Sequence, residues 1–282
     1  MEPGIYSNLL TTPELYVADL IPVNLDGTQR NQRYCIYARS ADEYWNLKQG
    51  KNMAEQRTYE WFAARFGKIT MSKRVDILLN GHVHDLNNML KAIIWEHQAT
   101  PDQIRAEFER ETRIGDNSPA MSWGKRHEEE AITHYELTRN VQVIRAEFKP
   151  HNLWPHLAGD STDFLETEDG TLKGKVKYAC EVKCPFNSDY HKKSLRYGMA
   201  HWHHNQTQGH MEVHGLTEGK FVSYDPRHTI EEQQIYVQAV EVDLAWQKLF
   251  REKMQEFNDH FQNGTQYEQQ MTKATDGIPS MF

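Results

Sequence analysis

KVKYACEVKCP, residues 175–185, alternates two kinds of side chain. Val176, Tyr178, Cys180, Val182 and Cys184 share one parity, while Lys177, Ala179, Glu181 and Lys183 share the other. Successive residues of a strand point to opposite faces. The segment therefore reads as a strand with one apolar face and one face carrying Glu181 beside Lys183. Both cysteines fall on the apolar face, where free Cys packs as a small hydrophobe. A zinc site would need two more soft ligands, and Cys35 is the one cysteine left. The chemistry of this stretch belongs to its carboxylate and its ammonium.

Outward from this strand, the pattern alternates helix and strand. Glu168-Asp169-Gly170-Thr171 reads as a hairpin turn leading back to a strand over 156–166, HLAGDSTDFLE. NVQVIRAEF (140–148), KFVSYD (220–225) and QIYVQAVEV (234–242) read as further strands, and RYCIYA (33–38) as another. VHDLNNMLKAIIWEHQ (83–98) gathers Leu86, Met89, Leu90, Ile93 and Ile94 on one helical face. MSWGKRHEEEAITHYELT (121–138), HHNQTQGHMEVHG (203–215, ending at Gly215) and DLAWQKLFREKMQEFNDHF (243–261) are also expected to be helical. The last has a stripe of Trp246, Phe250, Met254, Phe257 and Phe261. The fold class is α/β, with a mixed central β-sheet flanked by helices.

The chain has 282 residues, enough to bury a sizeable core, and its 38% hydrophobic content with seven Trp argues for a folded protein. Three cysteines form no disulfide framework and fit a reducing compartment. No signal peptide is recognisable at the start, and no apolar run approaches the ~20 residues of a membrane span. An intracellular protein without a membrane partner is expected. The net charge of −8 argues against indiscriminate nucleic-acid binding but leaves room for a local basic groove.

Gly124, Glu128, Ala131, Ile132 and Tyr135 form the packed stripe of their helix, which turns Glu128 inward and leaves Glu129 and Glu130 to solvent. Asp160 and Asp163 have opposite parity, so one of them approaches Glu181 if the two strands pair. Two carboxylates ~5 Å apart repel by roughly 3 kcal/mol at an effective dielectric of about 20. A cluster of Glu128, an Asp and Glu181 thus calls for a cation, and oxygen donors suit Mg2+ or Mn2+ with no zinc expected. A Lys beside such a metal can orient a bound water for phosphodiester hydrolysis.

EWFAARFGKITMS (60–72), WGKRHEEEA (123–131), STDFL (161–165), EVKCPF (181–186), NQTQGHM (205–211) and YDPR (224–227) occur in this order. Together they resemble the phage lambda exonuclease family, the YqaJ-type viral recombinase nucleases, within the restriction-endonuclease-like PD-(D/E)XK fold. The resemblance covers roughly 55–260. With the change of texture near residue 46 and the polar run at the end, the expected organisation is an N-terminal extension of unknown role at 1–45, a nuclease domain over 46–262 and a polar tail at 263–282. The resemblance implies that Glu128, Asp163, Glu181 and the backbone carbonyl of Val182 ligate metal and that Lys183 positions water. Asp163 lacks the family's usual Pro and Gly neighbours, and Asp160 is a fallback ligand. Gln206 is implied to contact metal-bound water or substrate, with Gln208 a further substrate contact. Trp61, Arg65, Gly67, Ile69, Thr70 and Ser72 match an element whose Arg and Ser receive the 5′-phosphate of DNA; an Arg fork pairs well with phosphate oxygens.

His201, His203, His204, His210 and His214 invite a zinc reading. The Glu of His210-Met-Glu-Val-His214 stands at the third position, off the face a metalloprotease helix would use. These histidines are expected to contact backbone or lie at the surface around a DNA channel. The implied activity is a Mg2+-dependent 5′→3′ exonuclease on double-stranded DNA ends, used in viral or phage recombination. The implied assembly is a ring-shaped homotrimer working with a single-strand annealing protein, in the cytoplasm of a bacterial host or the nucleus of a eukaryotic one. The rivals are an endonuclease or nickase on the same core and a non-catalytic DNA-binding protein.

Overall fold

The computed structural model describes residues 16–18, 36–38 and 56–268. Contacts divide the chain into two units, residues 1–53 and 54–282. In the first, β1 (Tyr16–Ala18) pairs antiparallel with β2 (Ile36–Ala38), Tyr16 opposite Ala38. The strand expected over 33–38 is described for its last three residues. The remainder of 1–45, Cys35 included, and the tail from 269 lie outside the described residues.

In the second unit, α1 (Tyr59–Arg65) leads to β3 (Ile69–Thr70), followed by α2 (Val75–Asn80), α3 (Val83–Gln98), α4 (Pro101–Asp116) and α5 (Pro119–Arg139). Strands β4 (Val143–Arg145), β5 (Lys149–Pro150), β6 (Ala158–Asp160), β7 (Phe164–Thr167) and β8 (Val176–Lys183) come next. The remainder is α6 (Ser188–Tyr197), α7 (His204–His214), β9 (Glu218–Tyr224), β10 (Ile235–Glu241) and α8 (Leu244–Asn263). The larger sheet has the order β10-β9-β8-β7-β4, with β8 and β9 parallel and the other pairs antiparallel. A second sheet has the order β3-β6-β5, with β3 and β6 parallel and β5 and β6 antiparallel.

The long strand expected over 156–166 is two short ones in different sheets, β6 and β7, broken at Ser161–Asp163. Side chains at the break hold the backbone of β8 where a continuous ladder would otherwise do so. Thr162 Oγ1 donates to the Cys180 carbonyl at 2.7 Å, and Asp163 Oδ2 accepts from the Val182 N–H at 2.6 Å. The strand expected over 140–148 is shorter, β4 at Val143–Arg145, and β5 follows just beyond it in the other sheet. Four helices, α1, α2, α4 and α6, escaped the periodicity reading. Helix α4 begins at a capping box in which Thr100 and Gln103 bond each other's backbone N–H, and α6 is capped by Asn187, whose side chain accepts from the Asp189 N–H.

The buried apolar residues form two cores, one of them on the larger sheet. The apolar face of β8 contributes Cys180 and Val182, which pack with Phe164, Val222 and Ala131, Ile132 and Tyr135 of α5. The other core joins α2 and α3 to α8 through Leu78, Leu90, Ile93, Phe250 and Phe257. Each such side chain removed from water stabilises the fold by about 1.5–3 kcal/mol. On α8, Trp246, Phe250, Met254 and Phe257 are buried, and the Trp246 and Phe250 rings stack 5.1 Å apart. Helix α7 approaches the chain after β3 so closely that a Cβ on Gly209 would stand 2.4 Å from Met71 Sδ. That approach sets the depth of the next residue, His210.

Candidate active site

The polar face of β8 is covered by α7. Glu181 is buried there, and its Oε1 accepts from Lys183 Nζ. Its Oε2 lies 2.7 Å from His210 Nε2, while His210 Nδ1 lies 2.8 Å from both oxygens of Asp160. His214 Nε2 stands 3.5 Å from Asp160 Oδ2, farther than a good hydrogen bond. The expectation that these histidines are surface or backbone groups fails for His210, which is fully buried between two carboxylates. Asp160, the fallback ligand, turns both its oxygens to that ring. The sequence signal was present in the His210 and His214 pair at i, i+4, but its partner is an Asp on a strand rather than a metal.

Glu128 of α5 comes to the same region from the other side. It is half-buried, and Arg57 Nη2 donates to its Oε2 at 2.6 Å. Glu129 is exposed and bonded to Arg145, as its place off the stripe implies. Glu130 departs from the expectation: it is half-buried, accepting from the Tyr224 hydroxyl at 3.0 Å and meeting His127 Nδ1 at 2.7 Å.

The charge states follow from these neighbours. Burial, with repulsion from Glu181 and Glu128, pushes the Asp163 carboxyl well above the usual range. Burial also raises Glu128, and Arg57 opposes the rise. At Glu181 burial pushes upward too, but Lys183 and His210 outweigh it and hold the carboxyl at about 2. Burial lowers His210, yet Asp160 and Glu181 overcome this and carry the imidazole to about 10. Burial presses down on Lys183, and the attraction of Glu181 and Asp163 wins, keeping it an ammonium. Burial first, and then Glu128 and Asp163, push the Cys184 thiol up, so it has no thiolate character.

Among the described residues no three His, Cys, Asp or Glu side chains already enclose a common metal position. Glu128 leans to Arg57, Asp163 to the Val182 N–H, and Glu181 to Lys183 and His210. The donor set nonetheless fits a hard cation. Three mutually repelling carboxylates converge, and the pKa of one of them, Asp163, is raised by burial first and then by the other two.

Arg65 and Ser72, separated by a turn and β3, meet directly: Arg65 Nη2 donates to Ser72 Oγ at 2.8 Å. The Arg65 guanidinium also lies over the Trp61 ring at 3.9 Å. Burial lowers its pKa, while Asp160, Asp163 and Glu181 pull the other way, which puts it within the field of the carboxylates. A cavity of about 380 Å³ opens beside it, lined by Trp61, Lys68, Arg74 and Trp95 among others.

Gln206 is half-buried one turn before His210, on the helix face that meets β8. Gln208, expected to touch substrate, is buried elsewhere. Its Nε2 donates to the Glu241 carbonyl and its Oε1 accepts from the Asp243 N–H, tying α7 to the β10–α8 junction. The YDPR element is a brace. Arg227 grips Asp225 through two hydrogen bonds of 2.7 and 2.9 Å and donates to the carbonyls of Pro185 and Phe186 just beyond β8.

Residues 60–217, more than half of the chain, match the YqaJ-like viral recombinase domain. The fold is similar to that of an alkaline exonuclease (LHK-Exo) from Laribacter hongkongensis. The identity is 25% and the TM-score 0.57, over 73% of this chain and 94% of that one. The structure of LHK-Exo in complex with dAMP gives 24% identity and the same TM-score over the same shares. No curated protein matches the sequence. The mixed sheet flanked by helices is of the PD-(D/E)XK type, as the sequence led one to expect. No helix among the described residues is long and apolar enough to cross a membrane.

Proposed function

Because the chain belongs to the YqaJ-like viral recombinase family, we propose that it is a metal-dependent deoxyribonuclease removing nucleotides 5′→3′ from double-stranded DNA ends. The observation that carries this reading is the crowding of Glu128, Asp163 and Glu181 about one end of β8, with Lys183 on the same face. Glu128, Asp163, Glu181 and the Val182 carbonyl would hold Mg2+ or Mn2+. The bound ion supplies charge neutralisation at the scissile phosphate and a more acidic water.

The chain's own residues do the remaining work. Lys183 lies against Glu181 and donates toward the attacking water and the charge that develops on the phosphate. Gln206, on the same face as His210, contacts that water or the substrate. Arg65 and Ser72 receive the terminal 5′-phosphate: the guanidinium offers parallel donors and the hydroxyl a third. The related alkaline exonuclease LHK-Exo has been seen in complex with dAMP, which fits a nucleotide product. A ring-shaped homotrimer acting with a single-strand annealing protein belongs to the same reading.

The test uses linear duplex DNA with 5′-phosphate or 5′-hydroxyl ends, incubated with Mg2+, Mn2+ or EDTA. Wild type releases nucleotides from phosphorylated ends only with metal, and Glu181→Ala lowers the rate on the order of a thousandfold, about 4 kcal/mol. Undiminished cleavage by Glu181→Ala overturns the site. Equal cutting of closed circular DNA overturns the exonuclease reading in favour of an endonuclease.

A further inference from the structure

We infer that His210, held by Asp160, is a positioning residue that fixes the Glu181 carboxylate for metal binding. The inference rests on the proposed metal site and deepens it. Both ring nitrogens of His210 lie within hydrogen-bond distance of a carboxylate. Nδ1 stands 2.8 Å from each of the two oxygens of Asp160, which fixes the plane of the ring. Nε2 then meets Oε2 of Glu181 at 2.7 Å, while Lys183 takes Oε1. Glu181 is thereby gripped at both oxygens and cannot swing toward or away from Asp163 and Glu128.

The fold supplies this arrangement from two sheets. Asp160 ends β6 and Asp163 precedes β7, so the break between them sends one Asp behind Glu181 and the other beside it. His210 has no exposed surface and no route to substrate, and its link to the site runs through Glu181. Groups that orient a metal-ligating side chain from behind typically account for 10–100-fold in metal affinity or activity.

The test is Mn2+ binding by calorimetry without DNA, on wild type, His210→Gln, Asp160→Asn, the double variant and Glu181→Ala. Circular dichroism checks that each is folded. The expected result is that His210→Gln weakens Mn2+ binding by about tenfold or more and raises by the same factor the Mn2+ concentration for half-maximal cleavage. Affinity for 5′-phosphorylated duplex in EDTA stays as in wild type, a split that general loosening of the fold would not give. Asp160→Asn has a similar effect, and the double variant is no worse than the stronger single, because the two act through one link. Should His210→Gln fail to fold, Asp160→Asn tests the link from its far end. A folded His210→Gln or Asp160→Asn that binds Mn2+ within twofold of wild type overturns the inference. If Glu181→Ala also binds Mn2+ normally, the metal site itself has failed. If Glu181→Ala alone loses binding, only the role of His210 has.

Discussion

Glu166 and Glu181 lie on adjacent strands of one sheet, both buried, on opposite faces. On the α5 face, Glu166 meets Lys220 Nζ at 2.7 Å and accepts from the Tyr135 hydroxyl. One acid is answered by one base, and the rest of that face is apolar. On the α7 face, Asp160 and Glu181 are answered by His210 and Lys183, and Asp163 and, from α5, Glu128 with its Arg57 meet them at the end of β8. Asp163, whose carboxyl accepts from the Val182 N–H, bears the consequence: burial first, and then Glu181 and Glu128, raise its pKa. The same strand thus separates a settled ion pair from an unsettled cluster. Stability alone would have balanced both faces; an excess of carboxylate is what a cation site requires and a core does not.

The largest effect expected from disturbing this contrast is on the settled side. Lys220→Met leaves Glu166 buried without its partner and lowers the unfolding free energy by about 3–5 kcal/mol, measured in urea. Mn2+ affinity stays unchanged in the same variant. A stability loss below about 1 kcal/mol would show that the pair is not what holds that face.

Asp225 offers an intermediate case of the settled kind. Burial pushes its carboxyl up, but the hydrogen bonds from Arg227 prevail and bring it to about 2, below its usual 3.8. A depressed carboxyl contributes stability above its unfolded pKa and loses it as pH falls through the folded one. Wild type should therefore exceed Asp225→Asn by about 2 kcal/mol near pH 7. The gap narrows as pH drops from about 4 toward 2. Denaturant curves across that range check it, and a gap independent of pH would contradict it.

The smallest effect has the opposite sign. Asp163→Asn keeps an oxygen for the Val182 N–H and removes the carboxyl whose pKa burial and its carboxylate neighbours raise. The metal-free protein should gain about 1 kcal/mol at pH 8, where the raised carboxyl costs most, while metal-dependent cleavage disappears. A destabilised Asp163→Asn would mean that the two faces are not different in kind.

Much of the scaffold was legible because it is periodic. The alternation around Glu181 placed both cysteines in the core, and the stripe on α8 named its buried residues from Trp246 to Phe257. The break at Ser161–Asp163 was not legible, since the alternation of HLAGDSTDFLE runs through it without a Pro. What ends the strand is the capture of Cys180 and Val182 backbone groups by Thr162 and Asp163, side chains that read equally well as strand residues. Helix α4 was hidden for a related reason: few of its residues are buried, so its apolar stripe is thin and its cap was the better signal. Gln206 and Gln208 were indistinguishable by type. Only helical phase put one on the face of His210 and the other against the β10–α8 junction.

By itself the sequence determined which residues share a face, because strand and helix periods are local properties of the chain. It therefore determined that Glu181 and Lys183 share one face of their strand and that Cys180 falls on the other. The tertiary structure decided which charges meet. His210 reaches Asp160 across 50 positions and Glu181 across 29, and Arg57 reaches Glu128 across 71. No local pattern encodes those distances. They follow from a chain that changes sheets between two aspartates and lays α7 over the strand that carries Glu181.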